Sequence, residues 1–166
     1  KGEGELSMSP RRKASVTNRG FLEAIRETPD DVAPRLVYAD WLDDHDDPER
    51  GEFIRLQCEL ARLAGKGWQA KLESRELELL WANRAAWLGP LDKELQYNYY
   101  TFPRGFLEDL TVRPRAMVQL AEEFDARVPA GRVTLYGAFG DPAMKALTAC
   151  PHMGWVAGLR YEHPSL

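Results

Sequence analysis

Five aspartates and one histidine lie in the eight residues from 40 to 47, and such side chains can bind a metal ion or transfer protons. A hard cation needs several oxygen ligands that converge on one point. The segment DWLDDHDDPERG lacks the alternating acids, the central glycine and the terminal glutamate of an EF-hand loop. Zinc sites use several His or Cys side chains, whereas His45 has no other His or Cys beside it. We therefore predict neither a bound metal nor a cofactor.

Catalysis by the same carboxylates is a second hypothesis. General acid–base catalysis needs carboxylates in a cleft with shifted pKa values, and a cluster at the tip of a tight turn is solvated instead. The sequence has no GxSxG motif, no phosphate-binding glycine loop and no cysteine beside a plausible base. We predict that the protein is not an enzyme. A metal-assisted enzyme that uses Asp43, Asp44, His45 and Asp46 remains the alternative.

The end of the acidic cluster carries a helix-start signal. Asp47 followed by Pro48 is typical of an N-cap and a first helical position. The cluster is therefore interpreted as the turn of a helical hairpin. Three acids before the cap are expected to form a solvated acidic surface: Asp43, Asp44 and Asp46.

The helix before this turn should pair with the helix after it. We expect Asp40 to be partly buried, with Trp41 in the core of the bundle. A buried carboxylate needs a partner, and Arg50 or Arg55 of the next helix is placed to supply it. These four residues and Asp47 are predicted to be structural. Arg35 is expected to form a similar ion pair, and its candidate partners are Glu52 and Asp31.

Charge is distributed unevenly along the chain. Residues 1–20 carry five basic side chains against two acidic ones, whereas residues 27–52 carry ten acidic side chains against two arginines. The whole chain has a net charge of −4, which gives no general case for binding nucleic acid. The acidic surface is suited to a basic partner, including the basic tail of the same chain. Phosphorylation of Ser15, which follows RRKA, would make the protein a regulated adaptor, a further alternative.

The expected compartment is the cytoplasm, and no membrane partner is predicted. No apolar run approaches the roughly 18 residues of a membrane span. The N-terminal segment lacks the apolar region of a signal peptide. The two cysteines, Cys58 and Cys150, are far apart in sequence, which favours a reducing compartment over a disulfide framework. Because the sequence begins with lysine, we expect it to be part of a longer chain.

The composition divides the chain into three parts. Residues 1–18 are polar and lack periodicity, so we predict a flexible basic tail. Residues 19–90 are predicted to form a bundle of short helices that ends at Gly89-Pro90. Residues 91–166 change to short β-branched and aromatic segments that alternate with helical ones.

The third part shows a repeat. Predicted strands centre on Leu110, Leu135 and Leu159, separated by 25 and 24 residues, and each interval contains one helix. One strand and one helix per 20–29 residues is typical of leucine-rich repeats. The predicted fold class is α/β, with an N-terminal helical bundle that caps a leucine-rich-repeat-like solenoid of short parallel strands. The array is expected to continue beyond residue 166, and an ordinary α/β domain is the alternative.

This architecture predicts a protein–protein interaction module. Residues beside the three leucines should alternate with them and face outward, where they could contact a protein partner. The predicted partner-binding residues are Glu108, Thr111, Thr134, Tyr136, Arg160 and Tyr161.

Residues 21–63 resemble the bacterial repeat-companion domain, a short helical module found beside leucine-rich or other repeats. The resemblance rests on YADWL, then DPER, then EFIRLQ, within residues 38–57, and on Pro29, Asp30, Arg35 and Leu36 before them. It implies a position next to repeats and does not imply a reaction. Two positions depart from the family pattern: Asp46 replaces a glycine in the turn, and Gly51 replaces an alanine, which should weaken its helix by roughly 1 kcal/mol.

Overall fold

The structure is a computed structural model that describes the backbone of residues 11–67, 69–95, 99–137 and 142–162, and side chains from residue 18 onward. Five helices come first: α1 (Arg11–Glu27), α2 (Ala33–Asp43), α3 (Pro48–Leu63), α4 (Ala70–Leu88) and α5 (Leu91–Leu95). A 3₁₀ turn (Pro103–Gly105) leads into the second half. That half contains β1 (Asp109–Val112), α6 (Pro114–Gln119), α7 (Ala121–Asp125), β2 (Gly131–Tyr136), α8 (Pro142–Thr148) and β3 (Val156–Glu162).

The first helix starts earlier than the sequence predicted. Residues 11–18, which we assigned to the tail, are the beginning of α1. No glycine or proline interrupts residues 11–19, so the backbone can remain helical there. The hypotheses on Ser15 and on contacts of the basic tail concern side chains outside the described part of the chain.

The predicted start of α3 is confirmed. The Asp47 side chain accepts a hydrogen bond from the backbone N–H of Arg50 at 3.2 Å, and Pro48 occupies the first helical turn. The cap satisfies one of the backbone donors that a helix leaves unpaired at its N-terminus. The direction in which α3 leaves the turn is therefore fixed by a local sequence signal.

The turn before this cap places Asp46 at φ +64°, in the left-handed region. This conformation costs L-residues roughly 1–2 kcal/mol, and Asp tolerates it better than most because its short polar side chain can hydrogen-bond locally. The resemblance of residues 21–63 implies glycine at this position, and the observed backbone shows why glycine would suit the turn.

We expect Asp46→Gly to stabilise the protein by about 0.5–1 kcal/mol, because relief of the left-handed strain exceeds the extra entropy of glycine in the unfolded chain. Asp44→Gly is the matched control, since Asp44 has φ −85° and carries no such strain. Urea unfolding of both variants measures the difference. Equal destabilisation by the two glycines would show that the Asp46 backbone is not strained.

Helices α2 and α3 are in close contact at Gly51. A Cβ atom there would lie 2.8 Å from the carbonyl oxygen of Ala39 and 2.6 Å from an oxygen of Asp43. Glycine therefore permits a close approach of the two helices that any larger residue would prevent. The glycine that lowers the helix propensity of α3 is thus the residue that this close contact requires.

The strands form one sheet in the order β1-β2-β3, and both neighbouring pairs are parallel. Residues 99–101 lie antiparallel to the other edge of β1, and the backbone N–H of Thr101 donates to the carbonyl oxygen of Asp109 at 2.8 Å. The predicted α/β class is thus confirmed at the level of a mixed fold with three parallel strands. None of the described helices is both long enough and apolar enough to cross a lipid bilayer.

The predicted alignment of the three leucines is wrong for Leu135. Leu110 and Leu159 both pair with Val133, whereas Leu135 pairs with Val112 two residues further along. Side chains two residues apart in a strand share a face, and valine fills an inward position as well as leucine does. The spacing of leucines therefore identifies the face of the sheet but not the register.

Buried side chains join the helices to the sheet. One cluster contains Phe53 of α3 and Leu91 of α5 together with Leu110 and Leu135 of the sheet. Trp155 also belongs to this cluster, and its ring stacks on that of Phe124 with the ring centroids 5.3 Å apart. A smaller cluster is formed by α1, α2 and α3 together with Phe106, which precedes β1. Its buried members are Leu22, Ile25, Tyr38, Ala39, Leu42, Ile54, Cys58 and Phe106. Helices α3, α4 and α5 thus contribute apolar residues to the cluster that includes the strands, whereas α1 and α2 pack on α3 and Phe106.

Candidate functional site

The acidic cluster is tied to α3 through Arg55. Its Nη2 donates to Asp40 Oδ1 at 2.7 Å and to Asp43 Oδ2 at 2.6 Å. The predicted pairing of Arg55 with Asp40 is confirmed, but the predicted burial of Asp40 is wrong, because its side chain is 76% exposed. Asp43 is paired rather than simply solvated, and Asp44 and Asp46 are exposed. Within the described residues, no group of three or more His, Cys, Asp or Glu side chains is placed to hold a metal ion.

Trp41 lies at the rim of the smaller cluster rather than in the core. It is partly buried and stacks on His45, with ring centroids 3.9 Å apart. The buried positions of α2 are instead Tyr38, Ala39 and Leu42. The prediction of a core Trp41 was wrong because this residue lies beside the buried stripe of α2, on the side towards Phe21.

Arg50 does not pair with Asp40. Its Nη2 donates to the carbonyl oxygen of Gly105 at 2.6 Å, and its Cζ lies 4.7 Å from the ring centroid of Trp87. Two further rings, Phe53 and Phe106, lie within 5.6 Å of Cζ, and with Trp87 they form an aromatic cage around Arg50. Burial lowers the pKa of Arg50 to about 10, although the charge of Asp47 opposes this shift. Arg50 therefore contacts the turn before β1 instead of the neighbouring helix.

Arg35 reaches the same region from α2. Its side chain is 0% exposed, and its Nη2 donates to Glu108 Oε1 and to the carbonyl oxygen of Pro29, both at 2.9 Å. The predicted partners were wrong, since Glu52 pairs with Arg75 and the Asp31 side chain accepts from a backbone N–H. No local pattern pointed to Glu108, because it lies 73 positions from Arg35.

Burial dominates the electrostatics of this ion pair. Desolvation raises the pKa of the Glu108 carboxyl even though Arg35 and Arg104 lower it. Desolvation also lowers the pKa of Arg35, against the charge of Glu108. Two arginines of the helical hairpin thus bind the segment before β1, which we call the 103–108 linker (residues 103–108).

The outer face of the sheet brings three of the predicted partner-binding residues together. Thr111 pairs with Thr134, and Thr134 pairs with Arg160, so the three form one row across the strands. They border a groove of about 430 Å³ whose rim also includes Arg132 and Tyr99. Strand alternation, read from the sequence, correctly placed these three residues on one face.

The next row of the same face is formed by an ion pair between strands. Arg132 donates to both carboxylate oxygens of Asp109, at 2.7 and 2.9 Å. These hydrogen bonds hold the pKa of Asp109 below its ordinary value. Asp109 and Arg132 were not predicted, although both flank inward residues and alternation alone would have identified them.

The other three predicted partner-binding residues lie elsewhere. Glu108 is the partly buried partner of Arg35. Tyr161 pairs with Leu135 on the inner face, where its hydroxyl donates to the carbonyl oxygen of Gly137. Both lie two residues from a predicted inward leucine, so they share its face rather than alternate with it. Tyr136 is on the outer face, but its hydroxyl accepts a hydrogen bond from Arg113 at 3.1 Å.

Comparison with known proteins adds no relative: no family model, no curated protein and no solved structure matches this chain. The resemblance of residues 21–63 to the repeat-companion domain therefore stays a prediction. Function is inferred from the geometry of the described residues.

Proposed function

We propose that this protein is a non-enzymatic protein–protein interaction module. In this proposal α1–α5 cap the first units of a leucine-rich-repeat-like array, and residues 21–63 are its repeat-companion part. A protein partner binds the outer face of the sheet. The proposed compartment is the cytoplasm, which is consistent with the two free cysteines, Cys58 and Cys150.

The observation that supports a binding face is the row of Thr111, Thr134 and Arg160 along an open groove. Inward residues of the same strands, such as Val133 and Leu135, are at most 1% exposed, whereas the outward row is polar and accessible. Hydroxyl groups and a guanidinium on a rigid sheet can form directional hydrogen bonds with a partner.

The contacts between helices and sheet support the cap. Arg35 and Arg50 bind the 103–108 linker, and Leu91 of α5 is buried in the same cluster as Leu110 of β1. Residues 99–101 cover the outer edge of β1. A cap of this kind shields an end of the sheet that would otherwise pair with another chain.

The opposite edge supports continuation of the array. Among the described residues, no strand pairs with the second edge of β3. Leu159 is 57% exposed, although Val133, its partner in the same row, is 1% exposed. A further strand–helix unit stacked on β3 would bury Leu159, as the neighbouring strand and helices bury Val133 of β2.

The test is affinity capture with a charge-changing pair on the outer face, Thr134→Glu with Arg160→Glu. The matched control is Thr148→Glu with Arg115→Glu, which makes the same changes at exposed positions of α8 and α6. We expect a partner that the wild type and the control both retain and the sheet-face pair loses, with all three proteins folded by circular dichroism. Equal capture by the sheet-face pair would refute the proposed binding face.

A further inference from the structure

The groove on the outer face of the sheet has an open floor at Gly158. In the strand register Gly158 of β3 pairs with Arg132 of β2, and a Cβ atom added to the glycine would lie 3.4 Å from Cγ of Arg132. The next outward residue of β3 is Arg160, which also lines the groove. Two arginines therefore border a gap into which Gly158 sends no side chain.

The positive charge of these two arginines is only partly neutralised. Among the described residues that line the groove, the charged side chains are Arg132, Arg160 and Asp109. Arg132 binds both carboxylate oxygens of Asp109 through Nε and Nη2, so its Nη1 takes no part in that ion pair. Arg160 is exposed and forms no ion pair within the described part of the chain. The groove thus keeps an excess positive charge in a chain whose net charge is −4.

The two guanidinium groups can reach the same point above Gly158. Arg132 and Arg160 are diagonal neighbours on adjacent strands, so their Cα atoms are roughly 8 Å apart, given a strand spacing of about 4.8 Å and a rise of about 3.3 Å per residue. The Arg132 side chain is 76% exposed and Arg160 is exposed as well, so a partner has access to both. An anion in the gap would separate two like charges and accept hydrogen bonds from both.

A carboxylate suits this gap better than a chain of phosphates does. A guanidinium forms paired hydrogen bonds with the two oxygens of a carboxylate, as Arg132 already does with Asp109. A nucleic acid carries a charge at every nucleotide and is bound through several basic contacts. Asp109 and Glu162 lie on the same face of the sheet as the gap, and both would repel neighbouring phosphates.

We propose that the partner binds this face through an acidic segment of its chain. An aspartate or glutamate side chain of the segment enters the gap above Gly158, and its carboxylate accepts hydrogen bonds from Arg132 and Arg160. The hydroxyl groups of Thr111 and Thr134 bind polar groups of the same segment. This inference rests on the proposed function, since it names the chemistry of the partner at the same face.

The primary test is a nuclear magnetic resonance titration of the unmodified protein with synthetic peptides. Three short peptides are compared, in which serine alternates with glutamate, with glutamine or with lysine. We expect the glutamate peptide to shift the side-chain Nε–H signals of Arg132 and Arg160 and the backbone signal of Gly158, with Kd of about 1 mM or below at low salt. The other two peptides should bind at least about tenfold more weakly, because neither carries a carboxylate side chain.

A first pair of variants tests the gap without changing any charge. Gly158→Val fills it, and the fold should tolerate the change because valine favours strands and the added Cβ makes only an ordinary contact with Arg132. We expect Kd for the glutamate peptide to rise about tenfold. Ala157→Val is the matched control, since Ala157 is an exposed neighbour that does not line the groove, and it should leave Kd unchanged.

A second pair of variants tests the charge. Arg160→Gln should weaken binding of the glutamate peptide by about three- to tenfold, the effect of losing a charge-assisted hydrogen bond at an accessible site. Arg115→Gln removes an exposed arginine of α6 that does not line the groove, and it should have no effect. Equal weakening by both substitutions would mean that the peptide responds only to the overall charge of the protein, and the assigned site would be wrong.

The remaining outcomes separate this inference from the proposed function. Absence of shifts with the glutamate peptide, or equal shifts with the glutamine peptide, would refute the acidic segment, whereas the affinity capture described above decides the binding face independently. Stronger binding of a single-stranded oligothymidine than of the glutamate peptide at the same salt concentration would assign the groove to nucleic acid. That result would overturn both the acidic segment and the proposed protein partner.

Discussion

Replacing Arg35 by methionine should lower the free energy of unfolding by about 3–5 kcal/mol, the loss expected when one partner of a buried ion pair is removed. The side chain is fully buried, and its partner Glu108 is 16% exposed, so the carboxylate would lose its closest cation and keep only Arg104, whose Nη2 lies 3.5 Å away. Methionine has a similar length and fills the space, which limits any cavity effect. Urea unfolding, with the slope checked against that of the wild type, measures the loss.

A double-mutant cycle separates the ion pair from packing. Glu108→Gln in the Arg35→Met background removes the stranded charge, so the double variant should be more stable than the Arg35→Met single variant. The control cycle makes the same two changes, Arg75→Met and Glu52→Gln, in an exposed ion pair between α4 and α3. Exposed pairs contribute about 0–1 kcal/mol, and this cycle should show little coupling.

The cost of Arg35→Met should also depend on pH. Without Arg35, the pKa of Glu108 lies further above its ordinary value of 4.5. When the pKa of a carboxyl group is higher in the folded protein than in the unfolded chain, the bound proton stabilises the fold. This stabilisation is complete below the pKa of the unfolded state and is lost as the pH rises through the pKa of the folded state. The difference between wild type and variant should therefore be larger at pH 7.5 than at pH 4. A difference that is the same at both values would mean that Glu108 is solvated in the variant.

The parts of the fold that follow from local signals could be predicted from the sequence. Asp47 and Pro48 start α3 because a cap depends on residues within one helical turn. Thr111 and Thr134 face outward because strand alternation is a property of the backbone. Arg55 pairs with Asp40 because both lie on the facing sides of one hairpin. In each case the interaction lies within or between neighbouring elements.

The parts that were missed depend on packing between distant segments. Arg35 and Arg50 were assigned to acids of the hairpin, but the structure places them on Glu108 and Gly105, which belong to the 103–108 linker. Sequence distance gives no information on such pairs. Register was missed for a different reason: valine and leucine are equivalent on an inner face, so Leu135 could shift by two residues without exposing an apolar side chain.

These two arginines give the hairpin motif a physical role. The residues that resemble the repeat-companion domain include Arg35, Arg50 and Ile54, and all three contact the 103–108 linker or its flank. The hairpin therefore positions the chain as it enters the first strand. A cap that holds the entry to β1 fixes where the sheet begins, which is what the proposed array would need from it.

Gly105→Ala should be the second strongly destabilising change, with a loss of about 2–5 kcal/mol. Gly105 has φ +89°, and an added Cβ would lie 2.6 Å from Cγ1 of Ile54 and 2.8 Å from its Cα. The left-handed conformation costs roughly 1–2 kcal/mol in alanine, and overpacking against the α3 backbone adds about 1–3 kcal/mol. Because Gly105 also accepts the Arg50 hydrogen bond, a shift of the turn would disturb the aromatic cage around Arg50.

Gly67→Ala is the control that separates backbone strain from the steric overlap of the added Cβ. Gly67 also has a positive φ, +101°, but an added Cβ there would meet nothing within 4 Å. It should cost no more than about 1 kcal/mol, since the strain is partly offset by the lower entropy of alanine in the unfolded chain. Thermal unfolding of the two variants side by side gives the comparison. If Gly105→Ala cost no more than Gly67→Ala, the 103–108 linker would not be packed against α3, and one of the contacts that join the cap to the sheet would be absent.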